Sequence, residues 1–444
     1  MYKSSLALAV ALGVLAQQAG AAGFVEDSKL SLSSRTMYFN NDTRENGVAD
    51  NRESGQGFKL DYISGFTEGT VGFGVDAQAL WGIHLDGGRG KHPDNSSFFP
   101  SDTDGSSESQ WARVGANAKA RFSKTEAHFG SALAPMLPIL VSNDGRLLPQ
   151  TFEGATITSK EIDNLTINAG QMTHAMGRAS SNRTGLSVNG ATADSNKFRY
   201  GGLDYKLTPD LTLQYYYSNL EDFYKQHFLG ATHVFKIADD QSFKTDLRYF
   251  DSSSDGRNGE GGGYNFNNNN GYAKNVGEVD NKTWSAMFTY TLGGHAIMLG
   301  HQQVSDDGGF VWLNQGSVRD GNGRPEGAGG ASFYLFTDSM INQFAKAGEN
   351  TTFGQYSYDF ARLGVPGLKA SVSYLRGEDG RNQNGNGTFS EWERDARVDY
   401  VLQEGTLKGL GFSLRQGVYR GTGTSSLADV DQTRFIVNYT YAFK

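Results

Sequence analysis

The chain has 444 residues, a net charge of −8 and no cysteine. The negative charge argues against a nucleic-acid-binding protein, which would carry a basic surplus or patch, and the lack of cysteine excludes thiolate catalysis and metal–thiolate sites. Glycine is abundant at 58 residues, proline is scarce at 8, and aromatic residues make up 12%. This composition favours many strands and turns, with aromatic rings at membrane interfaces.

The N-terminus has the features of a secretory signal peptide. Lys3 supplies the positive charge, residues 6–15 form an apolar run, and residues 19–21 (AGA) offer a small-residue cleavage site. We therefore expect a signal peptide over residues 1–21 and one domain over residues 22–444. No later uncharged stretch approaches the roughly 20 apolar residues that a spanning helix needs. If the mature chain spans a membrane, it must do so as a closed β-barrel.

Alternating side chains along residues 110–122 support a barrel. Small and apolar residues alternate there with Arg113, Asn117, Lys119 and Arg121. A cation on a lipid-facing surface would cost about 2–4 kcal/mol at the bilayer midplane. The cations should therefore face the lumen, and the apolar side chains should face lipid.

The last strand, residues 434–443, shows the same alternation. Apolar and aromatic side chains occupy the odd positions, whereas Arg434, Asn438 and Thr440 are among the even ones. We count eighteen such strands, joined by short turns and long polar loops in alternation. The pattern predicts an all-β fold, a transmembrane antiparallel β-barrel of eighteen strands.

Three stretches of sequence point to a known family. They are residues 65–77 (GFTEGTVGFGVDA), residues 135–152 with PMLP at the start and NDGRLLPQTF at the end, and residues 358–368 with YDFA followed by GVPGL. Together they resemble the OprD-type outer-membrane porins of pseudomonads, substrate-specific channels with eighteen strands. The resemblance covers essentially the whole mature chain. It implies a place in the Gram-negative outer membrane, surrounded by lipid and lipopolysaccharide, insertion by the barrel-insertion machinery, and a monomer or a loose trimer.

Residues 135–150 match the family's inward-folded constriction loop. Three prolines prevent this segment from continuing a strand, and its leucines are apolar enough to pack inside the barrel. Ser142, Asn143, Asp144 and Arg146 remain as candidates to face the pore. The alternative is that Asp144 and the glycine after it only form a turn.

The resemblance also implies a ladder of basic residues down one wall of the lumen. Arg397 has the inward parity of the ladder but lies one step from the family's basic position, where this chain has Asp399. Ser413 also occupies a position where an arginine is usual, so the ladder is thinner here, and strict carboxylate selectivity and the sign of ion selectivity stay open. The alternative is a set of lumen salt bridges with no role in transport. The basic ladder of this chain consists of Arg35, Arg397, Arg415 and Arg434.

These features predict passive, charge-guided diffusion of small water-soluble solutes. Guanidinium groups offer bidentate sites to a carboxylate, and several weak sites in a row let a solute both enter and leave. We expect carboxylate-bearing nutrients, such as amino acids and small organic acids, and no catalytic residue, cofactor or metal. The alternatives are a general or structural barrel with adhesin-like loops and an outer-membrane hydrolase. The chain has no G-x-S-x-G or H-E-x-x-H motif to support the hydrolase.

Overall fold

The computed structural model describes residues 23–443 with the exception of 45–49, 88–89, 94–95, 103, 268–270, 315–331 and 424–425. The predicted signal peptide, residues 1–21, lies outside the described residues. One short 3-10 helix, Phe360–Leu363, accompanies the strands. The strands are β1 Lys29–Thr43, β2 Asn51–Ile63, β3 Val71–Asp86, β4 Gln110–Phe122, β5 Thr125–Leu133, β6 Met136–Leu137, β7 Leu140–Val141, β8 Thr151–Ser159, β9 Leu165–Met176, β10 Phe198–Thr208, β11 Leu211–Leu220, β12 Tyr224–Ala238, β13 Gln241–Ser254, β14 Asp280–Leu292, β15 His295–Val304, β16 Asn350–Asp359, β17 Leu368–Arg381, β18 Thr388–Val401, β19 Gly411–Thr422 and β20 Val430–Ala442.

Eighteen of these strands form one closed antiparallel sheet, which confirms the predicted fold and strand number. Each barrel strand pairs with the next one along the chain, and the sheet closes where β1 pairs with β20. The two remaining strands, β6 and β7, form a small hairpin inside the constriction loop. Among the described residues, no helix is long and apolar enough to cross a membrane.

The faces of the strands follow the predicted alternation. On β4, Arg113, Asn117 and Lys119 point inward and are at most 7% exposed. Between them, Val114 points outward and is 74% exposed, and on β5 Phe129 is 68% exposed. The outer surface is therefore apolar where it meets lipid, and the charged side chains lie inside, as expected.

The turn between β16 and β17 explains one of the family motifs. The Asp359 side chain accepts a hydrogen bond from the Ala361 backbone N–H at 3.0 Å and so caps the 3-10 helix. Gly364 ends the helix with φ of +82°, a left-handed conformation that favours glycine. These residues make a compact turn on the side of the barrel with short connections, which is the periplasmic side in barrels of this kind.

The lumen is not an open tube, because long loops from the extracellular side fold into it. The constriction loop and the segment 332–349, which we call the lumen loop, contribute buried apolar side chains to the interior. A third loop, between β3 and β4, places Phe98 and Phe99 inside the barrel. Its anchor is His92, whose Nδ1 lies 2.6 Å from Glu53 of β2. The three loops thereby fill part of the barrel interior with buried apolar side chains.

The inside–outside assignment of the last strand predicts a labelling result. A cysteine in place of Asn438, which lines the lumen, should react with a membrane-impermeant maleimide in liposomes. A cysteine in place of Phe435, which points outward and is 43% exposed, should be shielded by lipid. The chain has no native cysteine, so each variant reports on one position. Equal reaction at both positions would contradict the strand register.

Candidate functional site

Three arginines of the basic ladder lie side by side on the inner wall. The strand register pairs Arg397 of β18 with Arg415 of β19, and Arg415 with Arg434 of β20. Side chains of directly paired residues leave the same face of a sheet about 5 Å apart. The row therefore concentrates positive charge on one wall of the lumen.

The first two members of this row differ in how their charge is compensated. The Arg397 Nε donates to a carboxylate oxygen of Asp399 at 2.5 Å, so an internal ion pair neutralises much of its charge. The Arg415 Nε donates to the hydroxyl of Ser413 at 3.0 Å, which is a neutral partner. Asp399 and Ser413, which stand where the family has basic residues, therefore act differently. Asp399 neutralises much of the charge of Arg397, whereas Ser413 orients the guanidinium of Arg415 and leaves its charge in place.

The third member, Arg434, also has neutral partners. Its Nε donates to the side-chain oxygen of Gln432 at 2.7 Å, and its Nη2 donates to the backbone carbonyl of Met340 at 2.5 Å. Within the part of the chain that the structure describes, neither Arg415 nor Arg434 has a carboxylate at ion-pair distance. These two guanidinium groups are the members of the row that form no direct ion pair with a described residue.

The fourth member, Arg35 of β1, is engaged by the constriction loop. Its Nη1 and Nη2 donate to the two carboxylate oxygens of Asp144 at 2.8 and 3.0 Å. The Nη1 also donates to the backbone carbonyl of Arg146 at 2.6 Å. This bidentate ion pair, in a partly exposed setting, fixes the loop to the first strand. For Arg35, the geometry therefore matches the alternative of a lumen salt bridge.

Two of the four loop candidates do not face the pore. Ser142 is 8% exposed and donates to the backbone carbonyl of Gln150 at 2.5 Å. Asn143 is 6% exposed, and its side-chain oxygen accepts from Arg178 at 3.0 Å. The expectation of pore-facing side chains is wrong for both, because polar groups in a buried loop must find partners within the protein.

The other two loop candidates do reach the lumen side. The Asp144 side chain is 56% exposed beside Arg35. The guanidinium of Arg146 lies 4.6 Å from the centre of the Phe39 ring, and the guanidinium of Arg434 lies 5.7 Å from the same ring. Arg146 therefore approaches the basic row from the loop side and adds to its positive field.

Two glycines of β2 explain why the constriction loop can lie so close to the wall. A Cβ on Gly55 would come within 2.9 Å of the Leu147 side chain, and one on Gly57 within 2.9 Å of the Leu147 backbone oxygen. On the opposite side of the loop, the buried Arg113 donates to the backbone carbonyl of Pro149. The loop is held from two sides, and its position beside the basic row follows from these contacts.

The lumen loop was missed by sequence reasoning, yet it forms the opposite side of the site. Three inward-facing carboxylates of β18 hold it. The Glu393 carboxylate accepts from the backbone N–H groups of Ile341 and Asn342, both at 2.8 Å. Asp395 accepts from the backbone N–H of Met340 at 3.3 Å. The third carboxylate, Glu391, accepts from the side-chain amide of Asn342.

Between this loop and the wall lies a cavity of about 320 Å³, which we call the ladder cavity. It is lined by the three paired arginines together with two acids, Asp338 of the lumen loop and Asp395 of β18. Asp395 lies two residues before Arg397 and shares its parity, so sequence alone contained a signal for it. Asp338 had no such signal, since its position depends on how a long loop folds.

Asp338 makes the cavity sensitive to pH. Burial raises the pKa of its carboxyl to about 7, although the backbone N–H of Phe333 and the charges of Arg178 and Arg434 favour the ionised form. Below pH 7 the carboxyl group of Asp338 is neutral and offsets none of the positive charge of the arginines. Above pH 7 it becomes an anion and offsets part of that charge.

Anion preference, measured as zero-current potential in a salt gradient, should therefore fall as pH rises through 7. The Asp338→Asn variant should lose most of this dependence, and an unchanged dependence would contradict the assignment.

Comparisons with known proteins agree with this architecture. Residues 22–443 match the family described as outer membrane porin, OprD family. Porin D of Pseudomonas aeruginosa is 33% identical over 450 residues, which cover 98% of this chain and 95% of that protein. The porin-like protein GalP of Pseudomonas putida is 32% identical over 427 residues, which cover 95% of this chain and 94% of that protein.

Solved structures show the same fold. P. aeruginosa OccK8 (OprE) has a TM-score of 0.83 at 44% identity, and P. aeruginosa OpdK with vanillate has a TM-score of 0.81 at 32% identity. Each comparison covers 95% of this chain and 100% of the other. The matched relatives are porins, which are channels rather than enzymes. The chain therefore belongs to the OprD family of outer membrane porins and is a channel protein of the Gram-negative outer membrane.

Proposed function

We propose that this channel lets small carboxylates diffuse passively into the cell, selected by Arg415 and Arg434. One observation carries the proposal. Both side chains line the ladder cavity, Arg415 half-buried and Arg434 only 5% exposed, and neither guanidinium has a carboxylate partner among the described residues. A solute carboxylate would supply the partner that the protein itself does not.

The geometry suits transient binding rather than capture. Arg415 and Arg434 are already held by neutral hydrogen bonds to Ser413 and Gln432, so their planes are oriented before a solute arrives. The two residues are paired across neighbouring strands, which places their β-carbons about 5 Å apart, so a carboxylate can pass from one side chain to the next. Weak sites in sequence allow both entry and release, which one deep site would not.

The two acids that line the same cavity affect which carboxylate-bearing solutes bind there. Asp395 and Asp338 face the solute space with the three arginines. An α-amino acid can place its carboxylate on the arginines and its ammonium group near Asp395, whereas a simple organic acid uses the arginines alone. The relative OpdK has been solved with vanillate, an aromatic carboxylate. We therefore include both small organic acids and amino acids in the proposed substrate class.

The two alternative functions are a general pore and a structural barrel with adhesin-like loops. Single-channel recording in planar bilayers separates them. The selective channel should give discrete conductance steps, with anions preferred over cations at low salt and less so at 1 M, where the Debye length is about 3 Å. A structural barrel should give no steps. A general pore should give steps whose selectivity does not depend on the arginines.

A further inference from the structure

The outer surface of β17 to β19 carries a cluster of arginines around one tryptophan. The strand register places Arg376 and Arg420 directly beside Trp392, on its two sides. Arg394 lies two residues further along β18 on the same outward face, directly beside Tyr374. The Tyr374 and Trp392 rings stack with centroids 6.0 Å apart. Three guanidinium groups thus surround a pair of interfacial aromatic rings.

The arginines of this cluster are not equally compensated. Arg376 pairs with Glu378 at 2.7 Å, and Arg420 pairs with Asp431 at 2.7 Å and more loosely with Asp429 at 3.7 Å. Arg394 is exposed, and within the described chain it has neither a hydrogen-bond partner nor an ion-pair partner.

The depth of Arg394 makes this exposure informative. Tyr400 lies near the periplasmic end of β18, and Arg394 lies six residues before it. For a strand tilted by about 40°, six residues place Arg394 about 15 Å above Tyr400 along the membrane normal. Below it on the same face are only Ala396, Val398 and Tyr400. The apolar band of such barrels is about 25 Å tall. The backbone of Arg394 therefore lies in the outer half of the band, and its long side chain can extend upward to the level of Trp392 and the lipid headgroups.

We propose that Arg394, flanked by Arg376 and Arg420, is a binding site for a phosphate-bearing lipid of the outer leaflet, lipopolysaccharide in this membrane. A guanidinium binds phosphate oxygens in a bidentate manner. The acyl chains of the same molecule would lie on the apolar surface below, and the aromatic pair would border the headgroup. The free arginine supplies the phosphate contact and the net positive charge. The two paired arginines, whose charges are largely neutralised by Glu378 and Asp431, border the site with further N–H donors.

The test uses the full-length protein in detergent, incubated with purified lipopolysaccharide and examined by native mass spectrometry. We expect the Arg394→Gln variant to retain about fivefold less lipopolysaccharide than the unmodified protein, and Arg394→Lys to recover part of the difference. The matched control is Lys225→Gln. Lys225 is also exposed at the extracellular end of a strand, but its ammonium group is paired with Asp255 at 2.8 Å, so its loss should change retention little. Heat-modifiable gel migration shows that each variant is folded.

Two further binding measurements show which part of the lipid the site recognises. Dephosphorylated lipopolysaccharide should bind the unmodified protein and the Arg394→Gln variant equally weakly. Excess inorganic phosphate should fail to displace the intact lipid, because it lacks the acyl chains. Equal retention by Arg394→Gln and the unmodified protein would overturn the site. Full displacement by inorganic phosphate would show an anion site rather than a lipid site.

Discussion

Replacing Arg415 or Arg434 by glutamine should slow carboxylate permeation about fivefold each, with little change for neutral sugars of similar size. The magnitude follows from the loss of a charge-assisted hydrogen bond worth about 1 kcal/mol in a wet lumen. Glutamine keeps polarity and most of the length of the side chain, so the width of the pore changes little. Uptake into liposomes of a carboxylate and a sugar, measured on the same preparation, gives the ratio.

The matched control for this experiment is Arg397→Gln. Arg397 shares the row and the cavity, but its charge is already paired with Asp399. Its removal also frees Asp399, so anion preference should fall through the added negative charge rather than through a lost binding site. An equal change in carboxylate and sugar permeation for Arg415→Gln would mean that the residue shapes the pore and does not select charge.

The second large effect is expected from Glu393→Ala, which should widen the channel. Glu393 is fully buried, and its carboxylate accepts two of the three backbone N–H groups that bind the lumen loop to β18. Leaving two buried donors without partners costs about 1–3 kcal/mol each. The loop should then leave the wall for part of the time, and single-channel conductance should rise about twofold or more with loss of selectivity.

Two comparisons make this experiment specific. Glu393→Gln retains one acceptor oxygen and should give an intermediate conductance. Glu378→Ala removes a carboxylate of β17 that points outward and pairs with Arg376, so conductance should not change. If Glu393→Ala left both conductance and selectivity unchanged, the lumen loop would not control the passage.

The barrel itself was predictable because its physical requirements act on every strand. The alternation of Arg113 and Val114, repeated through eighteen strands, follows from the need to keep cations out of lipid and is visible without any tertiary information. The inward parity of Arg397, Arg415 and Arg434 was predictable for the same reason. Their direct pairing across β18, β19 and β20 needed the register, which the sequence pattern does not determine.

The interior of the lumen was much less predictable. Ser142 and Asn143 are polar, and polarity suggested the pore. Ser142 instead donates to Gln150 within the loop, and Asn143 accepts from Arg178 of another loop. The lumen loop was invisible in advance, because its position depends on long-range contacts with Glu391, Glu393 and Asp395. Asp338 is an example: the tertiary fold of the lumen loop brings its side chain to the ladder cavity, and no local sequence pattern indicates this.

The most direct test of the account is the flux ratio of benzoate to benzamide through the unmodified protein in liposomes at low ionic strength. The two solutes have nearly the same size and shape and differ in charge. If the guanidinium groups of Arg415 and Arg434, which have no direct ion-pair partner among the described residues, select the solute, benzoate should permeate several-fold faster. The ratio should approach unity at 1 M salt, where the Debye length is about 3 Å. Equal permeation at low salt, or faster permeation of benzamide, would contradict selection by these arginines.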